Sequence, residues 1–319
     1  MPPSSDPLSR ELADTLEGLR RIIDAKAPSA PETIEPDAQA GPGVQLPLWP
    51  ESRRAAPNVI FRSALFPATN FQNGRPFVKN QLLASVGGTT VYFTGERFDQ
   101  SDLDVYLEIL NFARQHPLGT ECTFSAYSLL KALGRSTGYS DHKWLHSVLI
   151  RLRGGTLDIT DRKKRYFGGL IGPGIKDEIT RYYRVAINTE FAKLFGFGMW
   201  SSIDRDQRRR IGRNMTAKAL HAYYSTHAAC SAHSFEKLAA LVGLNNPNKR
   251  QQRATLIRAH MLLASEQICF LRSYTVSPDR RTITVALTPT RSQARHLGRK
   301  AFIARGRRSR DGVDGRRTG

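Results

Sequence analysis

The chain reads as an α+β protein in which one order of elements (helix, short helix, longer helix, β-hairpin) occurs twice in tandem. A flexible N-terminal segment precedes the pair and a basic C-terminal tail follows it. Three observations carry this reading. Helical apolar spacing and hairpin signals recur in the same order within residues 57–198 and 199–290. A proline-rich run, APSAPETIEPDAQAGPG (Ala27–Gly43), separates a lone amphipathic segment from that middle, and its composition cannot bury enough apolar surface to order itself. Residues 291–319 hold 10 basic and 2 acidic side chains, the pattern of a solvated tail.

The N-terminal segment, residues 1–56, opens with Asp6-Pro7 as cap and first turn. Leu8, Leu12, Leu16, Leu19 and Ile23 then fall on one helical stripe. In the first copy, Ser101 with Asp104 predicts a capping box. Leu103, Tyr106, Leu107, Leu110 and Ala113 keep helical spacing until Pro117 and Gly119. A short helix follows from Ser125 to a Gly134 C-cap. A longer one runs from a Ser140 cap through Leu145, Val148, Leu149 and Leu152 to Gly154-Gly155. The strands TLDIT and YFGGLI flank the turn Asp161–Arg165, and RYYRVAI closes the copy. The second copy starts near Asn214, which caps MTAKALHAYYSTHA. It continues with a short helix from Ser234 to Gly243, the turn LNNPN, and the helix KRQQRATLIRAHMLLASEQI. Its strands CFLRSYTV and RTITVAL are joined by Ser277-Pro278-Asp279-Arg280. This is the order of a winged helix-turn-helix, so the chain is expected to be two tandem winged-helix domains, 57–198 and 199–290.

Charge narrows the function. The 319 residues carry 48 basic and 28 acidic side chains, a net +20. Residues 1–56 are net −3 and the tail is net +8, which leaves +15 on the folded middle. Folded surfaces ordinarily mix signs, so a polyanionic partner, nucleic acid above all, is expected. Cys122, Cys230 and Cys269 are odd in number and far apart, which argues against a disulfide framework or a zinc site. With no apolar run near the ~18 residues of a membrane span and no signal-peptide pattern, the expected location is the cytoplasm, with no membrane partner.

A recognition helix buries one face and offers polar side chains at its N-terminal end to base edges. In the second copy Ala254, Ile257, Met261, Ala264 and Ile268 form the expected inner stripe. That leaves Lys249, Gln251, Gln252 and Arg253 for base contacts, since Arg and Lys pair with guanine and Gln with adenine. In the first copy Leu145, Val148, Leu149 and Leu152 point inward and leave His142, Lys143, His146 and Ser147 outward. Two hairpin turns are basic: Arg162, Lys163, Lys164 and Arg165 in one, Arg280 and Arg281 in the other. Both suit phosphate contacts that position without reading sequence.

One stretch breaks the linker's composition: Gln45-Leu46-Pro47-Leu48-Trp49. It either docks on the adjacent domain or binds another protein.

The segments YFTGERFDQSDLDVYLEIL, QHPLGTECTFSAYSLLKALG, SDHKWLHSVLIRLRGG and KALHAYYSTHA resemble the TrfA-type plasmid replication initiators of bacteria, over about Leu46 to Leu271. The resemblance implies tandem winged helices on repeated origin sites called iterons, opening of an adjacent AT-rich duplex, and recruitment of the host helicase. It also implies a homodimer as the inactive form. Single-stranded DNA of the opened origin and the host initiator are further expected partners, and plasmid copy control an expected role. Family members carry a Gln-Leu-x-Leu-Phe peptide before the first winged helix that matches the bacterial sliding-clamp motif. Here Gln45, Leu46 and Leu48 match, and Trp49 replaces the Phe. Pro47 would lower the entropy lost when such an extended peptide enters a preformed groove.

No enzyme is expected. There is no GxxxxGK[ST], no His-hydrophobe-His triplet for a nicking site, and no metal-like carboxylate spacing, so neither cofactor nor metal is called for. Tyr223-Tyr224 keep core-like spacing from Leu220 rather than the setting of a nicking nucleophile. The competing reading is a winged-helix transcriptional regulator without a replication role, which would have no use for a clamp peptide.

Overall fold

In the computed structural model the chain divides into two compact units, Met1–Pro42 and Gly43–Gly319. The structure describes residues 46–69, 71, 74–116, 121–161, 164–229, 232–290, 293–295 and 297–299, all in the second unit. The expected N-terminal helix, the proline-rich linker, Gln45, Arg162, Lys163, Cys230 and most of the basic tail lie outside the described residues.

The described chain is α+β. Strand β1 (Arg53–Pro57) leads into the single turn α1 (Asn58–Phe61), followed by the strands β2 (Phe77–Leu83) and β3 (Thr89–Glu96). Helix α2 (Gln100–Ala113) opens the first helical group. Strand β4 (Glu121–Ser125), short helix α3 (Ala126–Ala132) and long helix α4 (Tyr139–Gly154) come next. Four strands follow, β5 (Thr156–Asp161), β6 (Lys164–Gly168), β7 (Ile171–Lys176) and β8 (Tyr182–Ile187). The turn α5 (Thr189–Ala192) and a 3-10 turn (Lys193–Gly198) lead to β9 (Trp200–Asp204) and α6 (Arg205–Ile211). The second group is α7 (Met215–Ser225), β10 (His233–Ser234), α8 (Phe235–Leu241), α9 (Lys249–Ala264), β11 (Leu271–Val276) and β12 (Thr282–Leu287).

The two groups share one topology. In the first, the strand before the helix pair is hydrogen-bonded to the later strand of a hairpin, in the order β4-β8-β7. In the second the order is β10-β12-β11. A separate four-stranded antiparallel sheet, β2-β3-β5-β6, belongs to the first half alone. The expected basic hairpin, β5–β6 with Asp161 opposite Lys164, is therefore paired to β3. The hairpin that completes the sheet beside α3 and α4 is β7–β8, with its tip at Asp177–Arg181. The predicted strand YFGGLI is two strands, because Gly168 takes φ +153° and the chain turns away there.

Two caps sit two residues upstream of their expected places. Asp99, not Ser101, caps α2: its carboxylate accepts from the backbone N–H of Ser101 and Asp102, and Asp102 returns a bond to Asp99 N–H. Asp104, expected in that box, is used elsewhere. Helix α4 starts after Gly138 rather than Ser140, with no side-chain cap. The Ser125 cap of α3 and the left-handed Gly134 beyond it stand as expected. Gly155 marks a close approach where α4 turns into β5, since a Cβ there would meet the Phe98 ring at 2.6 Å.

Two hydrophobic cores result. Leu103, Tyr106, Leu107, Leu110, Leu145, Leu152 and Val185 belong to one; Leu220, Tyr224, Leu238, Leu256, Leu263 and Val285 belong to the other. Between them Asp104 accepts from Arg208 Nε at 2.5 Å and Lys218 Nζ at 2.6 Å, and Arg208 Nη2 donates to Gln100 Oε1 at 2.9 Å. Burial alone would raise the Asp104 pKa, but the two cations override it and hold the carboxyl below its ordinary value.

Candidate nucleic-acid interface

Helix α9 begins at Asn248, whose side chain accepts from the N–H of Arg250 and Gln251. That cap leaves Lys249, Arg250 and Gln251 exposed on the first turn. The inner stripe is not the expected one. Gln252, Leu256, Ala259, His260 and Leu263 are buried, while of the expected set Ala254 is exposed, Met261 is 55 % exposed, Ile257 and Ala264 are only half-buried, and Ile268, past the helix end, is buried. Two polar residues shift the stripe because each finds a partner inside. Gln252 Nε2 donates to Leu244 O at 2.8 Å, and His260 shares hydrogen bonds with Tyr224 Oη at 2.8 Å and Leu256 O at 2.7 Å. Gln252 is thus committed to the turn before the helix and is not presented to a base. Arg253 is half-buried with its guanidinium 5.7 Å from the Phe235 ring centre. Arg250, passed over in the sequence, lies beside Lys249 and Gln251; the run Lys249-Arg250-Gln251 was the available signal.

Helix α4 buries the expected Leu145, Val148, Leu149 and Leu152, and Arg151 with them. Arg151 Nη2 donates to Asp102 Oδ1 at 2.9 Å, tying α4 to α2. Of the outward set, Lys143 and Ser147 are exposed and His142 is half-buried. His146 is half-buried with Nδ1 3.3 Å from Tyr183 Oη on β8. The start of α4 carries a brace that the sequence reading missed. The Arg135 guanidinium lies 3.8 Å from the Trp144 ring centre and donates from Nε to Asp141 Oδ1 at 3.0 Å.

Of the basic turn 162–165, Arg165 donates to Asp158 Oδ1 at 2.8 Å on the exposed face of β5–β6. Arg280, at φ +55°, and Arg281 are exposed at the tip of β11–β12, where Asp279 accepts from Arg281 N–H at 3.0 Å. The β7–β8 tip is different in kind. Asp177 accepts from the N–H of Ile179 and Thr180, Lys176 Nζ pairs with both Glu178 oxygens at 2.7 and 2.6 Å, and Ile179 is 93 % exposed.

The peptide 46–49 is docked. Leu46 and Trp49 are buried, with Trp49 Nε1 3.3 Å from Asn111 Oδ1 and its ring 6.2 Å from those of Phe195 and Trp200; Leu48 is 74 % exposed. Beside it Glu51 pairs with Arg114 and with Arg54. Among the described residues no group of three or more His, Cys, Asp or Glu is placed to hold a metal ion, and no helix is long and apolar enough to cross a membrane.

The chain is strongly basic and carries two copies of one helix-pair-and-hairpin topology. Its family is specific: residues 42–263 match the model of the TrfA protein family. The chain belongs to that family. A plasmid replication initiator protein TrfA of Escherichia coli is 26% identical over 190 residues, covering 56% of this chain and 48% of its own length. The chain thus spans about half the length of that relative. Among solved structures, domains 2 and 3 of RctB align at 11% identity and TM-score 0.49, over 72% of this chain and 97% of that one. The Pi initiator protein, crystallised in complex with iteron DNA, aligns at 10% identity and TM-score 0.45, over 65% of this chain and all of that one.

Proposed function

We propose that this protein is a plasmid replication initiator that binds tandem iteron repeats at an origin through two winged-helix domains. The observation that carries the reading is the repeated sheet order, β4-β8-β7 and β10-β12-β11, each beside a short and a long helix; family membership supports it. In this reading α4 and α9 enter successive major grooves. Lys249, Arg250, Gln251 and Arg253 read bases from one helix, and His142, Lys143 and Ser147 from the other, with His146 orienting the hairpin through Tyr183. The tips at 162–165 and at Arg280–Arg281, with the basic tail, contact phosphates. Opening of the AT-rich duplex, helicase recruitment, copy control and an inactive dimer follow from the same reading, and no catalysis is assigned. Clamp binding requires Leu46 and Trp49 to leave their sites, because both are buried in the chain's own core.

The test is a gel shift on the replicon's own origin fragment with scrambled competitor across a salt series. A ladder with one step per direct repeat supports the reading. A salt-sensitive, sequence-indifferent smear refutes it.

A further inference from the structure

The β7–β8 tip holds an apolar side chain in the open. Ile179 is 93 % exposed, with Ile175 and Tyr182 about half exposed on the strands behind it. The matching tip of the second group, Ser277–Arg281, has two arginines and no large apolar residue. Three features equip the first tip to meet DNA. It is fixed: Arg181 N–H donates to Asp177 O and Asp177 N–H to Tyr182 O, both at 2.9 Å, while the Asp177 carboxylate holds Ile179 and Thr180. Its acids are answered: Glu178 is paired to Lys176 and Arg181, and five hydrogen bonds reach the two carboxylates, so phosphates nearby meet little repulsion. Its position is tied to α4 through Tyr183 and His146.

We propose that Ile179 is an apolar wedge. The tip enters the minor groove that flanks the major groove occupied by α4, and Ile179 inserts between adjacent base pairs, unstacking them and kinking the duplex. Isoleucine is among the side chains that do this in minor-groove proteins, and the unstacking cost is offset by the added contact of bent DNA. A preordered tip loses little entropy on insertion. The inference rests on α4 being a DNA-contacting helix, and it gives the first hairpin a task that the second, with its arginines on phosphates, does not share.

The experiment uses the full chain and a duplex of its origin repeats with 2-aminopurine placed in turn at steps flanking each repeat. Bending is read by energy transfer between the DNA ends, and affinity by gel shift. Wild type and Ile179→Met are expected to brighten 2-aminopurine at one step and to bend the DNA by about 20° or more. Ile179→Ser is expected to keep the repeat-specific complex and lose both signals; unaltered thermal unfolding confirms that it folds. Equal brightening and bending by Ile179→Ser overturn the wedge while leaving DNA binding intact. A wild-type complex without unstacking overturns it as well. A wild-type chain with no repeat-specific complex overturns the reading beneath it.

Discussion

Trp49 illustrates how one residue can answer to two physical demands. Its ring is buried among Phe195, Trp200 and the Arg114 guanidinium, and its N–H donates to Asn111 Oδ1, so truncation removes packing and one hydrogen bond, leaving Asn111 Oδ1 the one from Arg114. Trp49→Ala is expected to cost about 3 kcal/mol or more in denaturant unfolding, while Leu48→Ala, on the exposed side of the same peptide, changes stability little. Leu48→Ala is therefore the variant that tests clamp binding without unfolding the site. The histidines make the second prediction at this scale. Burial, aided at His221 by Arg208, lowers the pKa of His221, and burial lowers that of His260 despite its bond to Leu256 O. The unfolded chain takes up protons as pH falls through its imidazole value near 6.5, whereas these folded histidines resist them. Their contribution is full above that pH and is lost below it. Urea midpoints measured from pH 7.5 to 5 should fall, and fall less in His221→Gln. Both residues were invisible as core positions in the sequence, because whether a histidine is buried depends on partners that lie far along the chain.

At the scale of elements, most helices and the strands β5, β8, β11 and β12 were legible, but how the strands assemble into sheets was not. Apolar spacing marked α2, α3, α4, α7, α8 and α9, since a helix is a local object. Strands β1, β2, β3 and β9 went unread: β1 finds its partner in β9, and β3 pairs with β5, so what specifies them is remote pairing rather than local pattern. The same blindness assigned the first hairpin to β5–β6 instead of β7–β8. On α9 the expected stripe failed at Gln252 and His260, whose burial depends on Leu244 O and Tyr224. From this follows a paired test. Lys249→Ala should weaken repeat binding by about 1–3 kcal/mol if its base contact is lost, with unfolding unchanged. Gln252→Ala should lower stability by about 1–2 kcal/mol through the orphaned Leu244 carbonyl and lost packing. Neutralising Arg162 to Arg165 should weaken binding to all sequences alike and reduce the slope of log K against log salt; an unchanged slope removes that turn from the interface.

For the molecule as a whole, the informative contact is Asp104 with Arg208 and Lys218, which joins the two cores. Asp104→Ala leaves both cations without their carboxylate. It is expected to lower stability by somewhat less than the ~3–5 kcal/mol typical of a fully buried pair, because Asp104 keeps some contact with solvent. Differential scanning calorimetry should then show the single transition broaden or split as the two halves unfold less cooperatively. Of the candidate interface, the charge imbalance and the α9 terminus could be read from composition and order. The Ile179 tip could not, because an isoleucine between Glu178 and Thr180 carries no sign that it will be held in the open.

The pairing of β1 with β9 also sets a timetable. Arg53–Pro57 leaves the ribosome early, yet the strand that satisfies its hydrogen bonds, Trp200–Asp204, is made only after the whole first helical group and its hairpins. Until then the buried alanines of β1 have no cover from β9, so the first half cannot finish before the second has begun to be synthesised.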